Sequence, residues 1–92
     1  MAIYTLSTDA KRKIAEIYEY SYLNFAEVTA DEYFMSLHET MNLLAEQPNL
    51  GRKFYEFQRF EHREHTIFYE IRDNDILIVN IFHQSEDIMK KL

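Results

Sequence analysis

The side chains in this 92-residue chain with most obvious chemical capacity are three histidines in its second half, His62, His65 and His83. Imidazole titrates near neutral pH, so each could move a proton, and together with nearby carboxylates they could hold a metal ion. Spacing argues against the metal. In a strand-like segment, residues three apart point to opposite faces, which separates His62 from His65. No H-E-x-x-H or comparable helical pair is present. Histidines that are exposed, or hydrogen-bonded to the backbone, are the simpler reading. His83 closes an apolar run and, in a regular strand, shares a face with Leu77, Val79 and Ile81. There it either ties down a backbone group or serves as a general acid or base. There is no Cys, so thiolate chemistry and disulfides are excluded. With one Gly in the chain, phosphate-cradling loops and G-x-S-x-G elbows are excluded as well. No catalytic residue, metal ligand or cofactor site is therefore assigned.

The elements that would carry these side chains centre on Thr66 to His83. Two apolar runs, Ile67 to Ile71 and Ile76 to Phe82, flank Asp73-Asn74-Asp75, whose residues favour turns. The second run is nearly continuous in apolar, often β-branched residues, as expected of a central strand. Upstream, Ile3 to Leu6 reads as a first strand. Ser7, Thr8 and Asp9 offer N-caps for a helix with Ala10, Ile14, Ile17, Tyr18, Ser21 and Phe25 along one stripe. Lys11, Arg12 and Lys13 crowd its first turns, as a solvated basic patch or a contact site. After a break at Asn24 to Val28, Thr29-Ala30-Asp31-Glu32 reads as a capping box. The second helix then carries Phe34, Leu37, Met41 and Leu44 on one face. Pro48 ends it and Gly51 frees the chain to turn. Phe54 to Phe60 reads as a strand, and Ser85 to Leu92 as a short helix or tail. The expected architecture is α+β, in the order β-α-α-β-β-β, with a helical hairpin packed on one face of an antiparallel sheet.

Residues 1–92 are enough for one domain with one core, and a 47% hydrophobic content argues against disorder. No apolar run is long enough to span a bilayer, and the N-terminus lacks the features of a secretory signal, so a cytoplasmic protein is expected. The net charge of −6 is unevenly spread, with no Lys or Arg between Lys13 and Arg52. Such a surface repels phosphate, so direct sequence-specific binding of nucleic acid is not expected.

Several stretches taken together resemble the ParE toxins of the RelE/ParE superfamily, the toxic halves of bacterial type II toxin–antitoxin pairs. They are Y-T-L-S-T-D-A from Tyr4, L-L-A-E-Q-P-N-L-G-R from Leu43, T-I-F-Y-E-I from Thr66 and I-V-N-I-F-H-Q-S-E-D from Ile78. They cover nearly the whole chain in the family's order. Each is weak alone. The L-A-x-x-P-x-x-G-R stretch is specific in combination with the I-F-Y strand and the closing I-x-H. The chain differs from the family in its acidity and in His83-Gln84-Ser85, where a basic residue often follows the histidine.

The resemblance implies a ParD-like antitoxin partner, inhibition of DNA gyrase as the toxic act, a role in plasmid stabilisation, and a homodimer or a heterotetramer with antitoxin. It implies no cofactor. Arg59 and Arg63 are among the few cations of an acidic chain, and with His83 they are the expected target-binding residues. Tyr20, Tyr22 and Tyr33, read as exposed aromatics, are the expected antitoxin anchors. The alternative within the superfamily is a RelE-like ribosome-dependent mRNA endoribonuclease, with Glu46, Arg59, Arg63 and His83 available as acid, base and phosphate-binding groups. A third reading is a degenerate, non-toxic interaction module.

Overall fold

In a computed structural model, which describes residues 3–86, the chain runs β1 (Tyr4–Leu6), α1 (Thr8–Asn24), α2 (Glu27–Glu46), a 3-10 turn (Pro48–Leu50), β2 (Arg52–Phe54), β3 (Phe57–His62), β4 (His65–Ile71) and β5 (Ile76–His83). The five strands form one sheet in the order β1-β5-β4-β3-β2. Both helices pack on one face, giving the α+β helical-hairpin architecture expected from the sequence. Neighbouring strands are antiparallel except β1, which pairs parallel to β5. The intervening helical hairpin supplies the long crossover that a parallel pair requires.

Ser7 sets α1 on the sheet. Its Oγ accepts the Ala10 N–H at 3.0 Å, capping the helix, and donates to the Val79 carbonyl at 2.6 Å. Its own N–H donates to the Ile78 carbonyl at 3.0 Å. Ala10 and Ile14 of α1 and Leu37, Met41 and Leu44 of α2 then meet Ile67, Tyr69, Ile76, Ile78 and Ile81 of β4 and β5 in the core. The helical stripes were legible with two exceptions. Phe25 and Phe34 are largely exposed, and Ala30 takes the buried place instead.

Four local readings are corrected. α2 begins at Glu27 with Ala26 as N-cap and no side-chain cap, so Thr29 to Glu32 lies inside the helix and forms no capping box. The connection between the helices is short, which leaves no room for the later start. Phe54 to Phe60 is not one strand. It is interrupted by a two-residue turn at Tyr55–Glu56, with Tyr55 at φ 55°. A matching turn at Arg63–Glu64, with Arg63 at φ 54°, pairs His62 directly with His65. The two histidines therefore share a face, because the chain reverses between them. Lastly, the register passes from Tyr69–Ile78 to Phe68–Asn80, leaving Val79 as an extra residue in β5. The bulge puts His83 on the helix-facing side with Ile81, Ile78 and Ile76 rather than with Leu77 and Val79. The Ser85 to Leu92 expectation falls mostly outside the described residues. Gln84 to Glu86 forms a turn in which the Glu86 N–H donates to the His83 carbonyl at 2.9 Å.

Candidate functional site

The helical hairpin, the β3–β4 turn and the end of β5 enclose an open groove of about 610 Å³, lined among others by Lys13, Tyr20, Phe25, Tyr33, Arg63 and His83. Tyr33 and His65 of its wall belong to a polar seam that continues between α2 and the β3–β4 hairpin. Tyr33, Ser36 and Thr40 recur at helical spacing, so α2 presents them to one side. The Tyr33 hydroxyl lies 2.5 Å from His65 Nδ1. His62 spans the other two, with Nε2 3.1 Å from Ser36 Oγ and Nδ1 3.0 Å from Thr40 Oγ1. The Tyr33 ring stands edge-on to both imidazoles, and the Arg63 guanidinium lies 5.6 Å from its centroid.

Burial, reinforced by Glu64 and opposed by Arg63, pushes the Tyr33 phenol up to about 12. Burial and the neighbouring His83 lower His65, and burial and Arg63 lower His62. Both shifts favour the neutral imidazole at pH 7, and the Tyr33 hydroxyl and His65 Nδ1 share one hydrogen bond.

His83 is fixed from its own turn. Its Nδ1 accepts the Ser85 N–H at 3.1 Å and lies 2.7 Å from Ser85 Oγ, which leaves Nε2 to carry the proton. Nε2 stands 3.7 Å from Glu64 Oε2. The His83 N–H donates to Glu86 Oε1 at 2.9 Å, and Lys13 Nζ lies 3.7 Å from that oxygen.

Of the residues picked out from the sequence, Arg63, His83, Tyr33 and Tyr20 come together around this groove. Tyr33 is half-buried rather than exposed. Tyr20 is exposed beside Phe25, and Tyr22 faces outward, stacked on Tyr18. Arg59 is elsewhere. It pairs with Phe68 on the sheet face turned away from the helices, bonds Glu61 at 3.2 Å and covers the rings of Phe54 and Phe68. Glu46 ends α2, thirteen residues beyond Tyr33 and about 20 Å along the axis. Sequence reasoning missed His65 as the partner of Tyr33 and Phe25 as a groove residue, and marked Lys13 only as part of a basic turn read as a solvated patch or a contact site. Only the fold brings α1 over the end of β5, so no local pattern placed them in one groove.

Residues 4–88 match the family model described as ParE toxin of type II toxin-antitoxin system, parDE. The chain belongs to the ParE toxin family. It is 27% identical over 94 residues to Toxin ParE1 of Mycobacterium tuberculosis, covering 97% of this chain and 96% of that protein. Toxin ParE1 of Caulobacter vibrioides is 28% identical over 89 residues, covering 92% of each. Among solved structures, the chromosomal ParDE TA system from P. aeruginosa has a chain that superposes with a TM-score of 0.76 at 15% identity, covering 90% of this chain and 96% of that one. A conserved hypothetical protein from Helicobacter pylori gives a TM-score of 0.58 at 13% identity, covering 94% and 98%. These two likenesses establish the shared fold.

Among the described residues Arg63 makes no ion pair, so its N–H donors are available to a carboxylate or phosphate. Tyr20 and Phe25 add exposed aromatic surface at the rim of the groove. Among the described residues no group of three His, Cys, Asp or Glu is placed to hold a metal ion, and no helix is long and apolar enough to cross a membrane.

Proposed function

We propose that this toxin binds and inhibits DNA gyrase and is neutralised by a ParD-like antitoxin. The observation that carries the reading, beside family membership, is the groove itself. It joins the Arg63 guanidinium, which makes no ion pair among the described residues, to the exposed aromatic rings of Tyr20 and Phe25, the composition of a protein-binding surface. Arg63 and His83 are its target-binding residues. Arg59 contributes separately from the opposite sheet face. Tyr20 and Tyr22, with Tyr33 behind them, anchor the antitoxin, whose apolar segment covers the helical hairpin. The ParDE system of P. aeruginosa, with a chain of the same fold, supports an antitoxin of the ParD kind.

The endoribonuclease alternative is less well supported. Phosphodiester cleavage needs acid, base and phosphate-binding groups converging on one phosphate. Glu46 and Arg59 are remote from Arg63 and His83, and the groove's cations are outweighed by Glu16, Glu64 and Glu86.

The test is a supercoiling assay with purified gyrase. Inhibition by the toxin, reversed by the antitoxin encoded beside it, with no cleavage of ribosome-bound message, is the expected result. Codon-phased message cleavage abolished by His83→Ala would overturn the reading in favour of the ribonuclease.

A further inference from the structure

The β3–β4 turn holds a non-glycine residue in the left-handed region, Arg63 at φ 54°, a conformation that side chains with a Cβ adopt seldom. The chain contains a second such turn, at Tyr55. That one projects into solvent, and among the described residues no side chain hydrogen-bonds to its backbone. The Arg63 turn differs, because Gln84, the first residue after β5, bonds it twice. The Gln84 N–H donates to the Glu64 carbonyl at 2.8 Å. The Gln84 side-chain Nε2 donates to the Arg63 carbonyl at 2.8 Å. Any residue except proline makes the first bond. The second requires a long side chain that ends in an N–H donor.

The Arg63 carbonyl belongs to the peptide plane that follows the left-handed residue, so gripping it fixes that residue's ψ and the direction in which its side chain leaves the turn. That direction lays the guanidinium over the Tyr33 ring at 5.6 Å. Tyr33 is itself fixed by His65. No ion pair among the described residues restrains Arg63, so the turn and the ring contact are what orient it. A guanidinium already oriented loses less rotamer freedom when it meets its partner.

We propose that Gln84 is a positioning residue. Its side-chain amide locks the left-handed turn and so holds the Arg63 guanidinium over Tyr33, aimed at a carboxylate or phosphate of the toxin's target. The target half of this statement rests on the gyrase reading above, and the turn half does not.

Gln84→Leu, Gln84→Lys and Arg63→Gly variants of the full chain test it, read by NMR of the Arg63 side chain and by gyrase inhibition. In the wild type, the Tyr33 ring current displaces the Arg63 side-chain resonances. Gln84→Leu is expected to return them toward free-arginine positions, lower the melting temperature by no more than a few degrees, and weaken inhibition by roughly 2- to 10-fold, a change on the scale of one neutral hydrogen bond. Gln84→Lys, which keeps a donor of similar reach, is expected to restore both readouts. With Arg63→Gly the left-handed turn carries no steric penalty, and adding Gln84→Leu should then change inhibition no further. Unmoved Arg63 resonances in Gln84→Leu overturn the proposal, as does an equal effect of Gln84→Leu in the glycine background. Resonances that move and are rescued while inhibition stays constant overturn the target half alone. If the wild-type protein does not inhibit gyrase at all, the gyrase reading fails and the NMR arm still decides the turn.

Discussion

Replacing Gly51 with Ala is expected to destabilise the fold by about 2–4 kcal/mol, and the structure gives the reason atom by atom. Tyr69 is fully buried in the core, and its hydroxyl donates to the Pro48 carbonyl at 2.6 Å and accepts the Gly51 N–H at 3.0 Å. A Cβ on Gly51 would stand 2.9 Å from Tyr69 Cε1 and from the Arg59 carbonyl, and closer still to the Tyr69 hydroxyl. Neither neighbour can yield, one being a packed ring and the other a strand backbone. Overpacking of this kind costs about 1–3 kcal/mol, and each disturbed hydrogen bond adds about 1 kcal/mol. The backbone itself contributes no penalty, since Gly51 has φ −74° and ψ 162°, which alanine adopts freely. At such a site alanine would otherwise stabilise by about 0.4–1 kcal/mol through the unfolded chain, so the sign of the effect isolates the clash. For a domain of this size the net loss lowers the melting temperature by roughly 10–25 °C, measurable by circular dichroism. The double variant Gly51→Ala with Tyr69→Phe, which removes the nearest atom, should be less destabilised than the two single effects combined. A Gly51→Ala protein that melts within about 3 °C of wild type would refute the clamp.

Ile78→Asp is expected to leave the chain unfolded at 25 °C, because an unpaired carboxylate at this fully buried position costs several kcal/mol, a large part of a small domain's stability; cooperative melting near the wild-type temperature would contradict this. His83→Ala should stay folded and lose toxicity only modestly, since the histidine bonds mainly within its own turn. Lowering the pH from 7 to 5 should lower the melting temperature. His62 and His65 are held below 6.5 in the fold, so their contribution is complete above that value and is lost as the unfolded chain gains protons below it. Asp75, held down to about 2 chiefly by the Arg72 side chain and Thr5, stays charged throughout that range. A His62→Gln, His65→Gln variant should therefore show a flatter profile, and an unchanged slope would refute the assignment. Arg63→Glu should weaken gyrase inhibition by about tenfold or more, the scale of a lost charge-assisted bond, at constant melting temperature. Arg59→Glu should lower inhibition and melting temperature together, because it repels Glu61 and uncovers two rings.

What was legible in the sequence is what periodicity and strong turn chemistry encode. The β4–β5 hairpin was plain from two apolar runs around Asp73-Asn74-Asp75, and the helical stripes from spacings of three and four. Pro48 and Gly51 stood out in L-A-x-x-P-x-x-G-R, although only the structure shows that they grip the Tyr69 hydroxyl. What escaped was reversal without a marker. Tyr55 and Arg63 open two-residue turns with neither Gly nor Asn, so one strand was read where there are two, and His62 and His65 were assigned to opposite faces. The Val79 bulge moved His83 to the helix side by the same kind of unmarked step. The candidate site was legible in its residue types, Arg63, His83, Tyr20 and Tyr33, because cations are scarce here and aromatics stand out. Their convergence was not legible, since it depends on these unmarked turns.

The distribution of charge bears on the proposed gyrase target. A net charge of −6 opposes long-range attraction to phosphate. Among the described residues, five of the cations are already engaged: Arg12 with Asp9 and Glu16, Lys13 with Glu86, Arg52 and Arg59 with Glu61, and Arg72 with Asp75. Among the described residues lining the groove, Arg63 is the cation without an ion pair. On the proposed reading, recognition depends on one oriented guanidinium and the apolar surface beside it, acting at contact distance, rather than on a diffuse basic face. That places unusual demand on the geometry of a single turn. It gives a physical reason for a left-handed arginine whose carbonyl is held by Gln84 and whose side chain rests on a tyrosine fixed by a neutral histidine.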